Sequence, residues 1–223
     1  MHRSLLSFTL LAACLGLPGA THAADTCSTY AADLAAMADA DQALRKRFNF
    51  LEMHTPEQKK LLESTALVDR ANTARLKALI ARCGWPSKAV HGDQAAGNAW
   101  LLAQHADQDR AFQKQVLSLI EREAAASGAG VDRNIAYLTD RIAVAEKRPQ
   151  PYGTQMKQKG EHACDLEFET LDDRQAVEER RAKLGMPTLE QYKRMFEERL
   201  HCPGGASQDY HYGPPGGGTV RRK

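Results

Sequence analysis

The run Gln104-His105-Ala106-Asp107-Gln108-Asp109 sets one histidine and two aspartates among amides within six residues. A histidine followed four residues later by an aspartate puts an imidazole and a carboxylate one helical turn apart. Such a pair can act as a general base with its orienting acid, or supply two metal ligands. On helical spacing, Leu101, His105, Gln108, Phe112, Val116 and Leu119 share one stripe, so His105 is aligned with apolar residues. Polar groups on a core-facing stripe must be bonded to something, whether protein, water or ligand. Trp100, Gln104 and Asp107 flank the stripe.

Three further segments are polar where apolar residues are expected. Asp69 and Asn72 interrupt the seam of one helix, Asp140-Arg141 interrupts another, and Tyr152-Gly153-Thr154-Gln155 follows a Pro-punctuated loop. Arg141 and this loop could hold an anionic or polar substrate beside His105 and Asp109, which gives His105, Asp109 and Arg141 as catalytic candidates. A third metal ligand would come from Asp69 or Asp140. There is no HExxH, and no second histidine at ligand spacing, so the sequence assigns no metal and names no cofactor. There is no GxSxG nucleophile either. The plainer alternative is a polar network that fixes helix packing, with His105 paired to Asp109, Asp140 to Arg141 or a neighbour, and Gln155 to the backbone. His54, His91, His162, His201 and His211 read as surface residues, and Glu178 to Lys183 as a solvated helix face.

The elements that carry these residues follow from periodicity. Tyr30, Leu34, Met37, Leu44, Phe48 and Leu51 mark an amphipathic helix over about 27–52. Thr55-Pro56-Glu57-Gln58 is a helix start, and the helix it opens stops at Gly84. A long helix is expected over about 95–126, with a short one from about 93 running into or directly preceding it, and another over 132–146. Two short extended runs around Lys159-Gly160 predict a β-hairpin, and helices follow over 174–184 and 188–200. The fold class is mainly α: a helical, bundle-like domain with a small β-hairpin and a disordered Gly/Pro-rich tail over 203–223.

The N-terminus has the layout of a secretory signal: Met1-His2-Arg3, an uncharged run from Ser4 to Leu17, and Thr21-His22-Ala23 before cleavage. Residues 1–23 are therefore set apart from a single domain over 24–202, and the location expected is periplasmic or secreted. Leu11-Ala12-Ala13-Cys14 also fits a lipobox, the alternative in which Cys14 carries a lipid anchor. No apolar run reaches the roughly 20 residues of a transmembrane span. Lys and Arg number 30 against 28 Asp and Glu, without the basic excess that nucleic-acid binding requires. Four cysteines remain after cleavage: Cys27, Cys83, Cys164 and Cys202. Their number suits two disulfides in an oxidising compartment. The first two helices should form an antiparallel hairpin with Cys27 and Cys83 at the same end, which leaves Cys164 with Cys202.

In order along the chain, Gly84-Trp85-Pro86, Gln104 to Asp109 with Phe112-Gln113, Ala136-Tyr137-Leu138-Thr139-Asp140-Arg141, Gln150 to Gln155, and Arg180 to Pro187 with Tyr192 resemble the signature of an uncharacterised bacterial domain family. The resemblance covers roughly residues 65–195. It implies no reaction, but implies that the four polar segments belong to one module. The function expected is that of an exported envelope or periplasmic protein whose polar cluster binds a small polar ligand or peptide. The ligand-binding candidates are Asp69, Asn72, Trp100, Gln104, His105, Asp107, Asp140, Arg141, Tyr152, Thr154 and Gln155. The alternative is a hydrolase-type enzyme using His105 with Asp109 as acid–base pair or metal ligands.

Overall fold

The computed structural model describes residues 27–128, 130–160 and 163–202. Both the signal segment and the tail expected at 203–223 lie outside the described residues. Seven helices and one two-stranded hairpin are present among the described residues: α1 (Tyr30–Arg45), α2 (Pro56–Cys83), α3 (Lys88–Gln104), α4 (Arg110–Ser127), α5 (Arg133–Ala145), β1 (Met156–Gln158), β2 (Leu166–Phe168), α6 (Arg174–Lys183) and α7 (Leu189–Arg199). The chain is mainly helical, as its composition and periodicity predict.

Polar side chains set the helix starts. Thr55 accepts from the Gln58 N–H ahead of Pro56, Asp132 from Ile135, and Asp173 from Ala176. Thr188 and Gln191 form a reciprocal capping box. Each such cap satisfies an N–H that the first helical turn leaves without an intrahelical acceptor.

Helix α3 sits at the centre and touches α1, α2, α4 and α5. Buried Ala95, Ala96, Ala99 and Ala103 keep its surface flat, so its neighbours approach closely. Tyr30, Leu34 and Met37 of α1 meet Leu76 and Leu79 of α2 in the same core. At the open end of this α1–α2 pair the Tyr30 hydroxyl donates to the Gly84 carbonyl at 2.9 Å. Cys27 and Cys83 are joined there, Cα to Cα 5.9 Å. The second disulfide, Cys164–Cys202, ties the hairpin to the end of α7. Both pairings follow the hairpin argument made from the sequence.

Three expectations need correction. The helix expected over 95–126 is two helices, broken from His105 to Asp109. The Asp109 carboxylate accepts from the Phe112 N–H at 3.0 Å and starts α4 as its cap, while fully buried Gln113 donates to the Gln104 carbonyl at 2.9 Å. Side chains thus satisfy the backbone groups that a continuous helix would have paired. The helix expected over 27–52 stops at Arg45, and Asn49 takes the Leu51 N–H on its own side chain at 3.1 Å. The first extended run, expected over Tyr152–Met156, is displaced: pairing runs from Met156 opposite Phe168 to Gln158 opposite Leu166, and residues 152–154 lie in the bend before it. Gly153 has φ 63°, and a β-carbon there would sit 2.5 Å from the Leu189 Cδ2. Only glycine fits that turn.

Candidate functional site

The turn at 152–154 is held from below by Asp140. This carboxylate is fully buried and accepts from the Tyr152 N–H at 3.0 Å and the Thr154 N–H at 2.7 Å. Burial pushes its pKa up to about 6, against the lowering effect of those bonds and of the Arg181 charge. Two more buried side chains finish the turn. Gln150 accepts from the Gln155 N–H and donates to the Gln155 and Glu169 carbonyls. Arg181 donates to the carbonyls of Tyr152, Gly153 and Pro187 and stacks on the Tyr192 ring. Arg181 is 0% exposed, so the solvated face expected for residues 178–183 is wrong at this position. The helix turns it inward, where it supplies the donors that three carbonyls need.

One residue further along α5, Arg141 points the other way. It binds Asp107 through two nitrogens, at 2.8 and 2.6 Å, and reaches the Gln155 side chain at 3.4 Å. Desolvation raises the Asp107 carboxyl, but Arg141, with Gln113 and Arg110, outweighs it and holds the group below the usual carboxylate range. Asp140 and Arg141 therefore do not pair with each other; their neighbours in the helix take opposite roles.

His105 also has a different partner from the one expected. Its Nδ1 lies 2.9 and 3.1 Å from the two oxygens of Asp41, a fully buried residue of α1. Desolvation raises Asp41, yet His105, Arg45 and Gln42 together bring it below its ordinary value. An ionised carboxylate only accepts, so Nδ1 carries the proton. Asp109 instead caps α4 and binds Lys77. The helix break separates it from the imidazole. Arg45 bridges Asp41 and Asp69, bonding Asp69 at 2.9 and 3.0 Å. Burial is the largest influence on Asp69 and raises it despite that arginine. One donor atom each from Asp41, Asp69 and His105 falls within 4.8 Å of the others, a spacing suited to a divalent metal. Arg45 already bonds both carboxylates at that place.

Asp41 and Arg45 were not singled out from the sequence, although a signal was present. The apolar spacing of α1 jumps seven residues from Met37 to Leu44, and the seam position skipped is Asp41. His91 is half-buried and meets Tyr30 edge-on at 5.4 Å, so it is not a plain surface residue. His162 and His211 lie outside the described residues, while His54 and His201 are exposed as expected.

A groove of about 410 Å³ lies between α5, the 154–158 arm, α7 and the α1–α2 connection. Its apolar wall includes Phe50, Tyr137, Met156, Leu166, Tyr192 and Phe196. Its charged lining residues are Arg141, Lys157 and Arg199, and among the described residues no acidic one lines it. The Gln104 Oε1 is buried in this region without a hydrogen-bond partner among the described residues. Of the candidates from the sequence, Gln104, Arg141, Thr154 and Gln155 line the groove; His105, Asp109, Asp69, Asp107, Asp140 and Tyr152 do not. Asn72 is buried and donates to the Met37 carbonyl. Trp100 lines a separate cleft of about 260 Å³ and donates to the Asn134 carbonyl.

The chain belongs to DUF6624. This family of unknown function matches residues 29–202, which take in α1 to α7, both polar networks and the groove. No curated protein and no solved structure matches this DUF6624 chain. No described helix is long and apolar enough to cross a membrane.

Proposed function

We propose that this protein is an exported binding module, processed after Ala23, whose groove takes a ligand carrying an anionic group next to an apolar one. One observation carries the reading: Arg141, Lys157 and Arg199 line the groove together with aromatic rings, without a carboxylate among the described residues. A low-dielectric wall strengthens the attraction of such cations for an anion. Arg199 makes no ion pair with any described residue, whereas Lys157 is shared with Glu167 and Glu169. Arg199 is therefore the main anion contact, and Arg141 adds the nitrogen that Asp107 leaves over. Buried Tyr192 packs edge-on against both Tyr137 and Phe196, and those two partly exposed rings form the apolar surface. Two disulfides and the N-terminal layout support an oxidising compartment outside the cytoplasm.

The test is calorimetric titration of the mature chain with N-acetyl-phenylalaninate and with its uncharged amide. The carboxylate should bind at least about tenfold more tightly, the value of one charge-assisted hydrogen bond. Arg199→Gln should remove most of that difference. Equal affinity for the two probes, or a difference that survives Arg199→Gln, would falsify the reading.

A further inference from the structure

The groove also runs along a strand. Five consecutive residues, 154–158, line it, and three of them are β1, one of only two strands in its sheet. In an antiparallel ladder alternate residues bond to the partner strand. The Gln155 carbonyl accepts from the Glu169 N–H at 3.2 Å, and the Lys159 N–H donates to the Asp165 carbonyl at 2.7 Å. Residues 155, 157 and 159 therefore face β2. Met156 and Gln158 turn their N–H and C=O groups outward, and no described residue bonds them. An open edge of this kind is a template for another strand.

Resting on the groove being the binding site, we propose that its ligand is an extended acidic peptide segment that adds to β1 as a third strand. Two outward residues supply two donors and two acceptors, which a strand can pair and a small carboxylate cannot. Side chains of an added strand alternate between its faces, so apolar residues meet the groove wall while neighbouring carboxylates stay within reach of the cations. Charge selects the peptide. Arg141, Lys157 and Arg199 favour glutamate or aspartate, and a lysine-bearing strand of the same shape is repelled.

The experiment uses the mature chain and the capped peptide acetyl-Val-Glu-Val-Glu-Val-amide. Two derivatives carry N-methyl groups on one or the other alternate set of amides, and a third replaces both glutamates by lysine. A strand bonds through one edge only, so one N-methylated set should lose at least tenfold in affinity while the other binds like the parent. The lysine peptide should not bind. Met156→Pro removes an outward N–H and leaves the ladder to β2 intact. It should weaken the parent peptide at least tenfold, while an unchanged circular dichroism spectrum and urea midpoint show that the variant is folded. Strand addition is overturned if the parent peptide does not bind, or if the two methylated sets behave alike. In either case the N-acetyl-phenylalaninate titration still decides the groove separately.

Discussion

Replacing Asp140 by Asn separates two opposing forces on one buried group. Burial raises its pKa from 3.8 to about 6, while the N–H groups of Thr154 and Tyr152, the Thr154 hydroxyl and the charge of Arg181 pull it down. A folded-state value above the unfolded one means that the folded chain holds the proton more tightly. The stability from this group is complete below the unfolded value and is lost as pH rises through about 6. At 1.36 kcal/mol per pH unit, the rise from 3.8 to about 6 amounts to about 3 kcal/mol by neutral pH. Asn does not titrate. Its single carbonyl can accept one of the two N–H groups, and its amide then sets a donor against the other, costing about 1–3 kcal/mol at every pH.

Urea unfolding of both proteins at pH 4, 5, 6 and 7, with disulfides intact, reads this out as a difference in which other titrating groups cancel. The wild-type advantage should be largest at pH 4 and should shrink by about 2–3 kcal/mol towards pH 7. A gap that stays constant would show that Asp140 does not titrate in this range. A gap that widens with pH would show that the hydrogen bonds and Arg181 outweigh desolvation, and the reasoning would be refuted. The consequence extends to the groove, because Asp140 fixes the turn that leads into Thr154 and Gln155.

Asp41 should show the opposite sign. Its folded value is lowered, so its contribution is present above the ordinary carboxylate range and is lost on acidification. Asp41→Asn leaves Arg45 and His105 without their shared anion, and should cost about 3 kcal/mol at pH 7. That cost should diminish below about pH 4 in the same unfolding series; a loss independent of pH would mean that Asp41 acts only through packing. For the export reading, intact mass of the mature chain recovered from its host should begin at Ala24. A lipidated Cys14 at the N-terminus would replace soluble export with a membrane anchor.

What the sequence made legible was whatever local periodicity and capping decide. Thr55 before Pro56 and Gly84 after a long apolar period marked helix ends to within a residue or two. The disulfides followed because two helices of known direction bring Cys27 to Cys83. The break at 105–109 stayed hidden because Leu101, His105, Phe112 and Val116 still satisfy helical spacing when the helix is cut. Its cause is a pair of side-chain bonds, from Asp109 and Gln113, that compete with the backbone. That one local choice rearranged the site. An uninterrupted helix would have given His105 its neighbour Asp109. The break frees Asp109 for Lys77 and leaves His105 to a carboxylate 64 residues earlier in the chain. The groove was beyond reach for a related reason. Phe50, Arg141, Met156 and Phe196 come from four distant segments, and each looks alone like an ordinary core or surface residue. Their convergence depends on the 152–154 turn, whose register is set by the buried Asp140, Gln150 and Arg181. In this fold the buried polar residues of α5 and α6 thus act mainly on the backbone, and it is that backbone which brings a cationic, aromatic wall alongside the open edge of β1.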